Sequence, residues 1–225
     1  MSAYQIHKLK VSNNMFINFT YIIVDTSTKS AAIVDPSWDL TLITDTLDQE
    51  GADLKAILLT HAHVDHVNLV KPLVSSYHPT VYMHQAEIHH DRFQCDNLIG
   101  VSDLEEIVLG DTSIVCVWTP GHTVGSTCYL LKNDLFTGDT LFSEGVGVCF
   151  SERGGNPREL YKSTQRLKSM VPDHIRIHPG HSFGYDTGRP FCDVYKTNIY
   201  LHLNEEDFVA FRMRANQPAL FGWPQ

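Results

Sequence analysis

Along the first part of the chain, apolar and β-branched residues come in short runs separated by turn formers. Gln5–Val11, Phe19–Asp25 and Ala31–Val34 each read as a strand. Ser12-Asn13-Asn14 and Thr26-Ser27-Thr28 divide them, and Asp35-Pro36 closes the third. The period then changes: Leu40, Ile43 and Leu47 share one face of a helix over Leu40–Glu50, with Gly51 as its stop. A short apolar strand, Ala56–Leu59, runs into a histidine-rich segment. Beyond it the pattern predicts a helix over Val67–Tyr77, a strand over Thr80–Met83 and a helix over Gln85–Asp91, then an irregular stretch over Cys95–Gly110. Strands come next at Ser113–Thr119, Ser126–Leu131 and Asp134–Thr137, then a long glycine-containing loop over Thr140–Asn156. Leu160, Leu167 and Met170 make Arg158–Met170 an amphipathic helix. His174–His178 reads as a strand, Asp193–Leu203 and Glu205–Arg214 as closing helices, and Pro218–Gln225 as a tail. Many short strands with helices between them predict a layered α/β protein.

Composition narrows the field. A chain of 225 residues can bury one sizeable core. With 17 Lys and Arg against 26 Asp and Glu, and no basic cluster, it has little with which to displace counterions from phosphates. Nucleic acid and anionic membrane surfaces are therefore not expected partners, and no apolar run is long enough to span a bilayer. Met1–Gln5 has no charged segment leading into an apolar one, so a cytoplasmic protein is expected. The five cysteines, Cys95, Cys116, Cys128, Cys149 and Cys192, are odd in number and share no C-x-x-C spacing, which predicts reduced thiols.

The candidate chemistry lies in thirteen histidines, and above all in His61-x-His63-x-Asp65-His66. With this chain's frequencies, about 0.3% of such chains would carry that pattern by accident. At a strand end, residues two apart point the same way, so His61 and His63 can converge on one point. Imidazole and carboxylate together suit zinc, iron or manganese. Three further candidates each lie just past a predicted strand: His122 in Thr-Pro-Gly-His-Thr, Asp139 in Thr-Gly-Asp-Thr, and His181 in His-Pro-Gly-His-Ser. Seven ligands are too many for one tetrahedral ion and suit two.

The ordered set, His-x-His-x-Asp-His, then His, Gly-Asp and Gly-His, resembles the metallo-β-lactamase superfamily. That resemblance implies a four-layer αββα sandwich, with a single hydrolase domain over residues 1–190 and a short C-terminal helical extension over 191–225. It implies two Zn²⁺ per chain, one held by His61, His63 and His122 and the other by Asp65, His66 and His181. Asp139 would bridge them, and Asp65 and Asp139 would be the catalytic carboxylates. Asp139 stands where lactamases of the main zinc class carry cysteine, and Cys149 lies outside that position. Thr137–Phe142 with its glycine-rich loop is similar to glyoxalase II, which hydrolyses acyl-glutathione thioesters. Two features differ from that enzyme: Val148 stands nearest its glutathione-holding lysine, and the C-terminal part is shorter. Arg212 and Arg214 resemble its arginine only weakly and read as exposed helix charges.

Over its whole length the chain resembles the glyoxalase-II-like zinc hydrolases of bacillaene-type polyketide clusters. The implied substrate is an acyl thioester on a phosphopantetheine arm, with an acyl carrier protein or coenzyme A as partner. Arg153, Arg158 or Arg189 would supply a rim cation, and His84, His89, His90 and Tyr185 are candidate pocket residues. Three other readings remain open: a hydroxyacylglutathione hydrolase proper, a persulfide dioxygenase with one iron on His61, His122 and Asp139, and a carrier-binding protein with structural metals.

Overall fold

The computed structural model describes residues 3–215. The expected tail falls outside them. Three antiparallel strands open the chain: β1 (Tyr4–Ser12), β2 (Ile17–Asp25) and β3 (Ser30–Val34). The Asn13 side chain accepts from the amides of Met15 and Phe16 and so closes the β1–β2 turn. Helix α1 (Leu40–Glu50), capped by the Asp39 carboxylate on the Leu42 amide, carries the chain back over the sheet. It delivers β4 (Asp53–Leu58) parallel to β3. β5 (Thr80–His84) and β6 (Leu98–Val101) extend the sheet, giving the order β1-β2-β3-β4-β5-β6.

The second sheet is built the same way. β7 (Glu106–Leu109), β8 (Thr112–Trp118), β9 (Thr127–Leu130) and β10 (Asp134–Gly138) form a meander. A helical crossover (Pro157–Met170) then delivers β11 (Arg176–Pro179) parallel to β10, and β12 (Arg189–Pro190) makes the edge.

Side-chain alternation explains why the sheets stack. In β2, Tyr21 and Ile23 face the opposing sheet, where they meet Ile114, Cys116, Tyr129 and Phe136. Ile22 and Val24 face outward and are covered by Ile43 and Leu47 of α1. On the far side, Val117, Cys128, Leu135 and Ile177 pack under Leu160, Leu167, Val194 and Phe208. Both sheets are thus covered on both faces, which is the αββα arrangement, and each buried Ile or Leu contributes about 1.5–3 kcal/mol.

Several elements differ from the sequence pattern, for identifiable reasons. The helix expected over Val67–Tyr77 is two: α2 (Val64–Val67) and α3 (Val70–Tyr77). Pro72 has no N–H and is tolerated only in a first helical turn, so the helix restarts just before it. The stretch Cys95–Gly110 holds β6 and β7, each of four residues. With α4 (Gln85–Asp91) preceding them, the crossover helix is α5, and α6 (Phe191–Thr197) and α7 (Glu205–Arg212) come after it. The helix expected over Asp193–Leu203 breaks at Asn198, whose buried amide donates to the carbonyls of Phe142 and Gly145. All five cysteines are free thiols. Among the described residues no helix is long and apolar enough to cross a membrane.

Candidate metal centre

All seven candidate ligands meet at one edge of the sandwich, where the ends of β4, β10 and β11 converge. His61 lies just past β4, His63 caps α2, and Asp65 and His66 sit within it. His122 is in the β8–β9 loop, Asp139 comes directly after β10, and His181 comes after β11.

They form two groups. His61 Nε2 lies 3.0 Å from His63 Nδ1, and His122 Nε2 lies 3.2 Å and 3.0 Å from those two atoms. A tetrahedral zinc with bonds of about 2.0–2.1 Å has ligands about 3.3 Å apart. The three nitrogens therefore stand at the corners such an ion requires. In the second group, His181 Nε2 is 3.3 Å and His66 Nε2 3.6 Å from Asp65 Oδ2. Asp139 lies between the groups: its Oδ2 is 3.6 Å from His122 Nε2 and 3.5 Å from His181 Nε2, and its Oδ1 is 3.5 Å from His66 Nε2.

The buried polar atoms here fit a cation and little else. His66 Nε2 and Asp139 Oδ1 are buried with no hydrogen-bond partner, an arrangement that is costly unless a ligand satisfies both. Four of the five histidines are held by their other nitrogen. His66 Nδ1 donates to Asp35 Oδ2 at 2.9 Å, and His61 Nδ1 donates to the Thr60 hydroxyl at 3.0 Å. His122 Nδ1 donates to the Val148 carbonyl and His181 Nδ1 to the Ile17 carbonyl, both at 2.7 Å. Such bonds fix the tautomer and aim Nε2 at a metal. Gly180 completes the floor: a Cβ there would fall 2.6 Å from His66 Cε1 and 2.7 Å from Asp139 Oδ1.

The electrostatics of the two groups differ. Burial, together with the neighbouring histidines, holds His61 well below its usual value and His63 at about 4, so both keep free lone pairs at neutral pH. Burial also lowers His122. Burial would lower His66 too, but the carboxylates of Asp65, Asp139 and Asp35 outweigh it and raise it to about 10. His181 is raised for the same reason, by Asp139 and Asp65. The second group therefore demands positive charge, which protons or a metal ion can supply.

Two supports of this site are absent from the sequence reading. Asp35 accepts from the Thr60 amide and hydroxyl as well as from His66. Asn18 donates to both Asp65 Oδ2 and the Asp65 carbonyl, and its own oxygen accepts from Trp38 Nε1. Neither lies in a motif; only the fold brings β2 and the end of β3 against α2. Of the candidate pocket residues, His84 is buried, caps α4 and stacks on Trp118, a structural role. His89 and His90 are exposed, and Tyr185 lies under the Arg189 guanidinium. Arg158 is paired with Glu205. Arg212 corrects the sequence reading outright: it is buried, donating to the Val146 carbonyl at 3.2 Å, rather than an exposed helix charge.

A four-layer αββα sandwich with this ligand edge defines a class. The chain matches the metallo-beta-lactamase superfamily over residues 14–181, and it belongs to that superfamily. Within it, the chain is 48% identical over 220 residues, 97% of each chain, to the probable polyketide biosynthesis zinc-dependent hydrolase BaeB of Bacillus velezensis. It is 33% identical to a hydroxyacylglutathione hydrolase of Pelagibacter ubique, covering 78% of this chain and 70% of that one. Among solved structures, ETHE1 from Myxococcus xanthus superposes with a TM-score of 0.82 at 27% identity, covering 96% of this chain and 92% of the other.

Proposed function

We propose that the chain is a two-zinc hydrolase of acyl thioesters acting in polyketide biosynthesis, on an acyl group carried by a phosphopantetheine arm. One ion would be held by His61, His63 and His122, the other by Asp65, His66 and His181, with Asp139 touching both. The observation that carries this reading is Asp139, whose two oxygens lie 3.5–3.6 Å from nitrogens of both groups. A hydrolase name at 48% identity over nearly the whole chain supports the reaction class.

Ions held by those residues would supply Lewis acidity toward water and a carbonyl near neutral pH. The chain's own residues set the stage. Asp139 fixes the separation of the two groups, and Asp65, aimed by Asn18, faces His66 and His181 of the second. Asp35, Thr60, Val148 and Ile17 lock the imidazoles so that no rearrangement is needed during turnover. The leaving thiol has an ordinary pKa near ~8.5, so departure as thiolate needs no general acid.

The thiol is read from the rim. Glutathione carries two carboxylates and needs fixed cations. Val148 offers none, and Arg212 is buried against the Val146 carbonyl. Exposed Ile17, whose carbonyl holds His181, and exposed Val64, next to His63, border the ligand loops instead, apolar positions suited to an acyl chain or a neutral pantetheine arm. An acyl carrier protein is the partner proposed to deliver it. The test is metal analysis of the purified protein, then turnover of one acyl group on glutathione, coenzyme A and a carrier protein. Two zinc ions with kcat/KM highest on the phosphopantetheine thiols is the expected result. One iron per chain with oxygen consumption would replace this reading by the dioxygenase. Equal or better turnover of the glutathione thioester would overturn the thiol assignment alone.

A further inference from the structure

Glu87 is a carboxylate with no place in the chemistry above, yet it is fully buried in the first turn of α4. Its partners are neutral donors. Oε1 accepts from the Ala62 amide at 2.8 Å and Oε2 from the Gly125 amide at 2.8 Å. Ala62 sits between His61 and His63, while Gly125 lies three residues after His122 in the same β8–β9 loop. One side chain thus holds both loops that carry the first group of nitrogens, one oxygen to each.

The surroundings show that this contact is built in. The N-terminal turn of α4 is pinned by His84, whose ring accepts from the Ala86 amide and stacks face to face on Trp118 at 5.1 Å. The helix then approaches the His122 loop so closely that a Cβ on Gly125 would fall 2.4 Å from the Glu87 Cβ and backbone nitrogen. Glycine at 125 is therefore a condition of the brace. Burying an ionisable carboxyl without a cation is costly, and burial pushes this one up from its ordinary value. A carboxylate is nonetheless suited to the position, because it offers one acceptor to each of two separate amides.

We propose that Glu87 is a positioning residue that sets the spacing of the His61, His63 and His122 nitrogens, and with it the affinity of the first metal ion. This rests on reading those three histidines as ligands. Glu87→Gln preserves shape but has one acceptor oxygen and an NH2 group, so one of the two amides loses its partner and its loop is released. Glu87→Asp keeps the charge but is one methylene short of spanning both loops.

The experiment measures zinc affinity and stoichiometry by competition with a chromophoric chelator, the visible spectrum of the cobalt(II)-loaded protein, and the melting temperature of the metal-free protein. The exposed Glu206→Gln variant serves as control. For Glu87→Gln we expect affinity for one of the two ions to fall by about 10–100-fold, with the other ion unaffected and an altered cobalt spectrum. Glu87→Asp is expected to lie between it and the wild type. Should Glu87→Gln fail to fold, the Asp variant decides. Wild-type affinity and an unchanged cobalt spectrum alongside a lowered melting temperature would make Glu87 merely structural and overturn the proposal. A wild-type protein that binds no metal would instead remove the reading on which the proposal rests.

Discussion

The two halves of the molecule share a plan and use it differently. In each, three antiparallel strands lead through a crossover helix to a fourth, parallel strand: β1-β2-β3-α1-β4 in the first half, β8-β9-β10-α5-β11 in the second. In each, an aspartate stands just past the third strand and a histidine just past the fourth. Asp35 and Asp139 are therefore topological counterparts, as are His61 and His181. Yet Asp35 is fully engaged, its oxygens taken by Thr60 and His66, while Asp139 keeps Oδ1 without a hydrogen bond. The difference lies in the residue before each of those histidines. Thr60 supplies an amide and a hydroxyl to Asp35, whereas Gly180 has no side chain to offer Asp139. The same position thus becomes a support in one half and a candidate ligand in the other.

Substitution can break this contrast. Asp139→Ala should have the largest effect, a fall in kcat/KM exceeding ~100-fold, because a direct ligand should cost more than an outer partner. Steady-state kinetics with zinc content measured in parallel checks it, and full metal occupancy at near-normal activity would refute the bridging role. Asp35→Asn should be milder, weakening zinc binding by about 10–100-fold through loss of the bond that orients His66. If it equals Asp139→Ala in both affinity and turnover, the two aspartates are not functionally distinct.

Arg212→Ala should cost about 1–3 kcal/mol of stability, since the Val146 carbonyl loses its donor, with a smaller activity loss than Asp139→Ala. Urea unfolding of the metal-loaded protein measures the first; unchanged stability would remove Arg212 as a tie between α7 and the glycine-rich loop. The smallest effect concerns acid. Burial alone would raise Asp134, but hydrogen bonds from His178, Arg176 and Tyr4 outweigh it and hold it well below the usual range. Its contribution to stability is therefore present above the unfolded value of about 3.9 and is lost as pH falls through the lower folded value. Asp134→Asn should flatten that part of the stability–pH curve, and an unchanged slope below about pH 4 would contradict the assignment.

Distance along the chain decides how much of this was legible in the sequence. The segment His61–His66 packs four candidate ligands into six residues, so one loop announces the site. His122, Asp139 and His181 were found because each sits in a short turn motif just past a strand. Asp35, Asn18 and Glu87 were not, because what they do is defined by partners 25 to 47 residues away. β6 and β7 escaped because a four-residue strand with exposed positions, such as Ile99 and Val108, carries too little alternation to detect. The break before α3 was missed, although Pro72 marks it: one helix was expected straight through that residue.

Gly180 carries a consequence for how this sequence can drift. Its surroundings leave no room for a methyl group, with His66 and Asp139 each under 3 Å from where one would go. The constraint is one of volume, imposed by two of the very residues that would hold the second ion. A sequence that abandons glycine here must first move His66 or Asp139. Position 180 is thus closed to side chains for as long as His66 and Asp139 keep their places.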